Sequence, residues 1–200
     1  MSGTEARDEI LARMRRALDG AGDAPEPPRE YRRSLAEGTD IVAMLVDRLL
    51  DYKANVHHGI AAIPAALGNA KRVVVPADLP EAWRLGEAEF VADESMSTPD
   101  LDGMDAVLTG CAAAVAVSGT IMLDAGEAQG RRAITLVPDH HVVVVRPDQI
   151  VGHLAEALPM LDPTAPQTWI SGPSATSDIE LQRVEGVHGP RRLDVVFLES

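Results

Sequence analysis

Hydrophobic positions recur along this 200-residue chain in two rhythms, one helical and one extended. Near the start, Ile10, Leu11, Met14 and Leu18 fall on one stripe with charges elsewhere, which predicts an amphipathic helix over residues 4–18. Residues 19–28 read DGAGDAPEPP, a Gly/Pro/acid-rich stretch of linker composition. Ile41, Val42, Leu45, Val46, Leu49 and Leu50 return to helical spacing and predict a helix over residues 39–52, capped by Thr39 or Asp40. The chain thus divides into an N-terminal helix with a flexible linker, residues 1–35, and a domain over residues 36–200.

Beyond residue 70 the rhythm changes to short aliphatic runs separated by helical stretches. Strands are expected at residues 72–75, 89–92, 106–108, 120–123, 142–145, 168–170 and 193–198. Helices are expected near residues 80–85 and over 147–158, the latter with Ile150, Val151, Leu154 and Leu158 on its inner face. Such alternation predicts an α/β fold with a largely parallel sheet flanked by helices. The run Val142 to Val145 is apolar on both sides of its alternation, as a strand covered on both faces requires.

Composition narrows the function classes. Hydrophobic residues make up 46% of the chain and aromatics 3%, so the core has to be aliphatic. A formal net charge of -13 speaks against a general binder of nucleic acid or anionic membranes, and no nucleic-acid partner and no membrane insertion are expected. The pairs Arg131-Arg132 and Arg191-Arg192 still allow a local basic pocket. Cys111 is the one cysteine, too few for an intrachain disulfide or an iron–sulfur cluster, which fits a reducing compartment. The longest apolar stretch, residues 111–123, is broken by Ser118 and Gly119 and is too short to span a bilayer. A cytoplasmic protein is expected.

Four segments carry candidate chemistry. In Thr109-Gly110-Cys111 to Ser118-Gly119-Thr120, small residues allow close backbone approach and the hydroxyls can donate to an anion; tight helix–sheet packing selects the same residues. In Gln129-Gly130-Arg131-Arg132, Arg131 follows a glycine turn and is placed to clamp a carboxylate. His140 and His141 follow just before a buried strand. Alternation sends them to opposite faces, which disfavours a shared zinc ion and leaves His140 as a single acid/base or hydrogen-bonding group, or a solvated one.

In Ser171-Gly172-Pro173-Ser174-Ala175-Thr176-Ser177-Asp178-Ile179-Glu180, a Gly-Pro turn leads to Ser174 or Thr176 as the cap of a short helix, with free N–H groups for an anion or merely a capped turn. Asp178 and Glu180 stand two apart and would not cooperate on a helix. His188, between glycines in Gly186-Val187-His188-Gly189, is either a ligand contact or a turn residue. No metal-ligand spacing, phosphate-binding glycine motif or dinucleotide fingerprint is present.

Taken in order, TG-C-AAAVAVSGTIML at 109–123, QGRRA-TL-PDHH at 129–141, Gln149-Ile150-Val151, ISGPSATSDIE at 170–180 and GVHGPRR at 186–192 resemble the LUD domain family, most closely its lactate utilization protein C type. The resemblance covers roughly residues 36–200. It implies a fold similar to the sugar-phosphate isomerase, CoA-transferase and formyltetrahydrofolate cyclo-ligase group, with ligands at strand ends. It also implies a non-redox, accessory part in the oxidation of L-lactate to pyruvate beside iron–sulfur partner proteins, whose clusters the partners would carry.

The expected ligand is a small carboxylate or phosphorylated molecule held by Thr109, Gly110, Gly119, Thr120, Arg131, His140, Ser171, Gly172, Ser174, Thr176, Asp178 and His188. Catalytic candidates are Asp178, His140 and Glu180. The alternative is a self-sufficient transferase or cyclo-ligase-like enzyme acting on a CoA or folate-type substrate, for which Asp178, Glu180 or Cys111 would supply the nucleophile or activated acid. A homo-oligomer stays open. One departure stands out: Val117-Ser118 precedes Gly119-Thr120 where the family commonly has an acidic residue and a threonine, so a carboxylate is missing from that loop.

Overall fold

A computed structural model describes residues 3–20, 22, 25–176, 184–185 and 189–199. The chain forms two compact units, Met1–Tyr31 and Arg32–Ser200. In the first, helix α1 spans Gly3–Ala17, with Glu5 in its first turn and Arg15 and Arg16 in its last, each sign complementing the helix dipole.

The second unit opens with α2, Ile41–Asp51. Of the two possible caps, Asp40 takes the role: its carboxylate accepts from the Ala43 N–H at 2.9 Å. The inner stripe of α2 puts Leu45 and Leu49 in the core with no exposed surface.

Strands β1 (Asn55–His58), β2 (Arg72–Val75), β3 (Glu89–Ala92), β4 (Ala106–Thr109), β7 (His140–Val145) and β12 (Arg192–Phe197) build a six-stranded sheet in the order β1-β12-β7-β4-β2-β3. Every pairing in it is parallel. The α/β prediction holds, and β1 adds an edge strand that the sequence pattern did not announce. Its residues, Asn-Val-His-His, carry no aliphatic run.

Alternation along the strands gives the sheet two apolar faces. On one, Val143, Val145, Leu193, Val195 and Phe197 meet Leu45 and Leu49 of α2. Farther along the same face, Val74 and Val107 meet Leu101 and Met104, the former in the short helix α4 (Thr98–Asp102), together with Ile134. On the other face, Val73, Val75, Leu108, Val142, Val144 and Val196 meet Ile63, Ala66 and Leu67 of α3 (Ile63–Leu67).

Two predicted strands leave this sheet. Thr120–Leu123 (β6) and Thr168–Ile170 (β9) join Ala113–Val115 (β5) and Ile150–Val151 (β8) in a second, four-stranded sheet of order β8-β5-β6-β9. Here β6 pairs antiparallel with both β5 and β9. Short apolar runs identify strands but carry no record of which sheet they join.

The helix expected over residues 147–158 is also broken into pieces. Gln149 turns inward: its amide oxygen accepts from the Arg146 N–H, and its amide nitrogen donates to the Cys111 carbonyl. Ile150 and Val151 then pair with Ala114 and Val115, so ladder bonds to a neighbouring strand replace a local helix. A helix resumes only at α5, Leu154–Ala157, after Gly152 and with His153 as its cap. The helix expected near residues 80–85 reduces to a single tight turn, Glu81–Trp83. Among the described residues no helix is long and apolar enough to cross a membrane.

Candidate functional site

The strand order reverses at β2: the chain passes outward to β3, then returns to lay β4 on the other side of β2. In an open parallel sheet such a switch point creates a crevice outside the strand ends, a frequent ligand site. In this chain a protein loop occupies it. The Ala128 N–H donates to Asp78 at 2.9 Å, and Gly110 N–H donates to the Ala128 carbonyl at 2.7 Å. Gly110 lies against this loop, where a Cβ would meet Trp83 at 3.4 Å and Ala128 at 3.5 Å, ordinary contact distances.

A cleft of about 320 Å³ opens instead on the sheet face covered by α2 and α4. Its floor includes His141 and Leu193, where the face lies between the two apolar clusters. One wall is the tight turn Arg132–Thr135 with Leu136; the other is β9 and the turn Ser171, Gly172, Pro173, Ser174. Gly189 and Pro190 close one end.

His141 is buried to 1% exposure. Its Nε2 lies 2.8 Å from the Thr109 hydroxyl, while its Nδ1 has no hydrogen-bond partner among the described residues. Burial, with a contribution from the neighbouring charge of His140, pushes its pKa down to about 3, so the ring is neutral across the physiological range.

A hydroxyl chain supports the opposite wall. Ser118 and Thr120 hydroxyls lie 2.8 Å apart, and Thr120 is 2.9 Å from the Ser171 hydroxyl. Gly172 holds φ at +88° with an ideal Cβ position 2.6 Å from Tyr52 Cβ, so only glycine fits where the turn crosses the end of α2.

The sequence candidates separate by this geometry. Ser171, Gly172 and Ser174 line the cleft; Thr109 stands behind His141, and Thr120 behind Ser171. Gly119, at φ +60°, makes its close approach to Arg48 of α2, where a Cβ would stand 2.7 Å away. Thr176 enters the two-residue strand β10 (Ala175–Thr176), antiparallel to β11 (Val184–Glu185), so no helix begins at Ser174. Asp178, Glu180 and His188 lie outside the described residues.

Arg131 is turned away from the cleft: its Nε donates to Asp93 at 2.6 Å, and its Nη2 donates to Asp93 and to the Met96 carbonyl. Those bonds hold the Asp93 carboxyl below its ordinary range. Its neighbour Arg132 lines the cleft and forms no ion pair among the described residues, whereas Arg191 pairs with Asp139 and Arg192 with Asp194.

His140 faces the other side of the sheet. Its Nε2 is 2.9 Å from Asp194, a carboxylate with no exposed surface. Asp194 also receives Arg192 Nε at 2.6 Å and Asn55 Nδ2 at 3.3 Å, and stands 2.7 Å from His57 Nε2. Burial raises the Asp194 pKa, but hydrogen bonds from His140, Arg192 and His57 outweigh it, and the carboxyl sits far below the ordinary range.

Three positions escaped the sequence reading. Arg132 was hidden by its neighbour, since one-dimensional spacing does not tell which of two adjacent arginines faces a wall. His141 shared its dipeptide with His140. Asp194 did leave a signal, an acid interrupting the apolar run Leu193-Asp194-Val195-Val196-Phe197. Cys111 is buried, its thiol raised to about 12 by desolvation, and it lacks the thiolate a nucleophile needs. Among the described residues no group of three or more His, Cys, Asp or Glu is placed to hold a metal.

The class of protein this defines is a parallel-sheet α/β domain with a cleft lined by hydroxyls, glycines and an arginine. The LUD domain model matches residues 81–198. The chain is 46% identical to Lactate utilization protein C of Deinococcus radiodurans, covering 98% of this chain and 97% of that one. It is 32% identical to YkgG of Escherichia coli over 42% of this chain and 39% of that protein. A crystal structure of a DUF162 family protein from Deinococcus radiodurans, 43% identical, superposes with a TM-score of 0.69 over 80% of this chain and 97% of that one. The chain belongs to the LUD domain family.

Proposed function

We propose that the chain is a non-redox component of L-lactate utilization, acting in the cytoplasm beside iron–sulfur proteins that oxidise L-lactate to pyruvate, and that its cleft binds a small carboxylate or phosphorylated ligand. The pathway reading is supported by the near-full-length relative bearing the name Lactate utilization protein C. The division of labour follows from electron count: lactate gives up two electrons on becoming pyruvate, and a chain with one buried cysteine is no seat for a cluster that would take them. The observation that carries the ligand reading is the cleft itself. It brings Arg132, without an ion pair among the described residues, together with a buried imidazole whose Nδ1 lacks a partner.

Deleting the gene in its native host tests the role. Growth on L-lactate is expected to fail while growth on pyruvate persists, and the wild-type gene restores the first. Undiminished growth on L-lactate, with no second copy of the gene present, refutes the assignment.

A further inference from the structure

Helix α1 is 15 residues long and belongs to a unit of its own, Met1–Tyr31. A helix of this length is marginal in water unless its apolar face is packed. That face is uncovered: Ile10, Met14 and Leu18 are 58%, 57% and 65% exposed. The stripe is continuous, because the Leu18 N–H still donates to the Met14 carbonyl at 3.1 Å and keeps the last member in helical placement. Half-buried Leu11 widens it on one side.

The charges of α1 are sorted along its length. Glu5, Asp8 and Glu9 stand in the first half and Arg13, Arg15 and Arg16 in the second, with Arg7 the exception. The helix dipole accounts for charges in the first and last turns only. Asp8, Glu9 and Arg13 lie inside those turns and need another reason. Positions seven apart fall on nearly the same side of a helix with 3.6 residues per turn. Asp8 and Arg15 therefore share one flank of the stripe, and Glu9 and Arg16 share the other.

This arrangement is complementary to itself. When a second α1 lies antiparallel on the stripe, a two-fold axis near Ala12 sets Asp8 opposite the second copy's Arg15. The same axis sets Glu9 opposite the second copy's Arg16, and each pair occurs twice. Ile10, Leu11 and Met14 then interleave across the axis, and Leu18 meets the aliphatic stem of Arg7. Parallel pairing would set acids against acids and arginines against arginines, so flank charges fix the orientation. With four arginines against three acids, α1 is also spared the repulsion that a net charge of -13 imposes between whole copies.

We propose that α1 is a self-association helix, which pairs antiparallel with α1 of a second copy through Ile10, Leu11, Met14 and Leu18. A contact between two helices this short stays below the about 1,200 Å² of standard interfaces, so the dimer is weak and concentration-dependent.

Sedimentation equilibrium of the full chain over a concentration series tests it by reading the mass directly. The wild-type chain is expected to pass from monomer to dimer. Met14→Asp, at an exposed position, should weaken dimerisation at least tenfold and leave the Tm of the Arg32–Ser200 unit unchanged. Asp8→Arg with Glu9→Arg turns all four flank contacts like-charged and should weaken it at least tenfold, as should Arg15→Glu with Arg16→Glu. An equimolar mixture of these two double variants should dimerise again, which a helix merely unfolded by substitution would not do. A wild-type chain that stays monomeric throughout, as it would if the stripe found its cover within one chain, overturns the proposal. A dimer indifferent to Met14→Asp is built on another surface, and one indifferent to the charge reversals is not antiparallel; either result overturns it too.

Discussion

Asp194→Asn removes one charge from the interior while keeping the shape of the side chain. The wild-type carboxylate has no exposed surface, and its two oxygens divide five polar neighbours. Oδ1 meets His57 at 2.7 Å and Arg192 Nη2 at 3.2 Å, while Oδ2 meets Arg192 Nε, His140 and Asn55. Asparagine offers one oxygen and one NH2, so either orientation turns a donor toward groups that donate. Removing one partner of a buried ion pair costs about 3–5 kcal/mol. The Arg192 side chain is 46% exposed and can turn to water, which favours the low end. For a chain of this size, about 3 kcal/mol corresponds to a fall in Tm of roughly 6–12 °C.

The linkage has a definite sign. Asp194 is depressed in the folded state, so its contribution is present above the unfolded carboxyl pKa of about 3.9 and is lost as pH falls toward the folded value. The gap between wild type and variant should therefore narrow by roughly 1 kcal/mol between pH 5 and pH 3. Thermal melts at each pH, with urea titrations to convert Tm to free energy, make the comparison. A variant melting within about 2 °C of wild type at pH 7 refutes the reasoning, as does a gap that does not close in acid.

Gly172→Ala should destabilise the domain by about 1–3 kcal/mol, since it adds a Cβ at positive φ against the Tyr52 backbone; unchanged urea midpoints would contradict that contact. Arg131→Ala should cost about 1 kcal/mol, the half-exposed guanidinium being partly screened. It should leave carboxylate binding by calorimetry unchanged, and a tenfold loss would mean that Arg131 reaches the ligand after all.

Strands were legible from short apolar runs: residues 72–75 and 89–92 coincide with β2 and β3. Strand β7 begins two residues before its apolar run because His140 and His141 are held by Asp194 and Thr109, partners remote in sequence. The second sheet was illegible because Ile150-Val151 satisfies helical spacing and extended propensity equally, and only pairing with Ala114 and Val115 decides. At the cleft, Ser171, Gly172 and Ser174 could be found from turn chemistry. Arg132 and His141 could not, because each depends on which way one member of an identical pair faces.

The histidine dipeptide at the head of β7 makes one backbone segment answer to two selections. Deleting a single residue just upstream, in a way that slipped the strand by one position, would exchange the two rings: a neutral imidazole would lose its hydroxyl partner and a carboxylate-bound one would be delivered to the cleft. The ion cluster on one face and the cleft floor on the other are thus tied to a single strand register at this point. Substitution at His141 or Leu193 changes the floor alone, whereas a change of register at this strand disturbs the floor and the ion cluster on the reverse side at once.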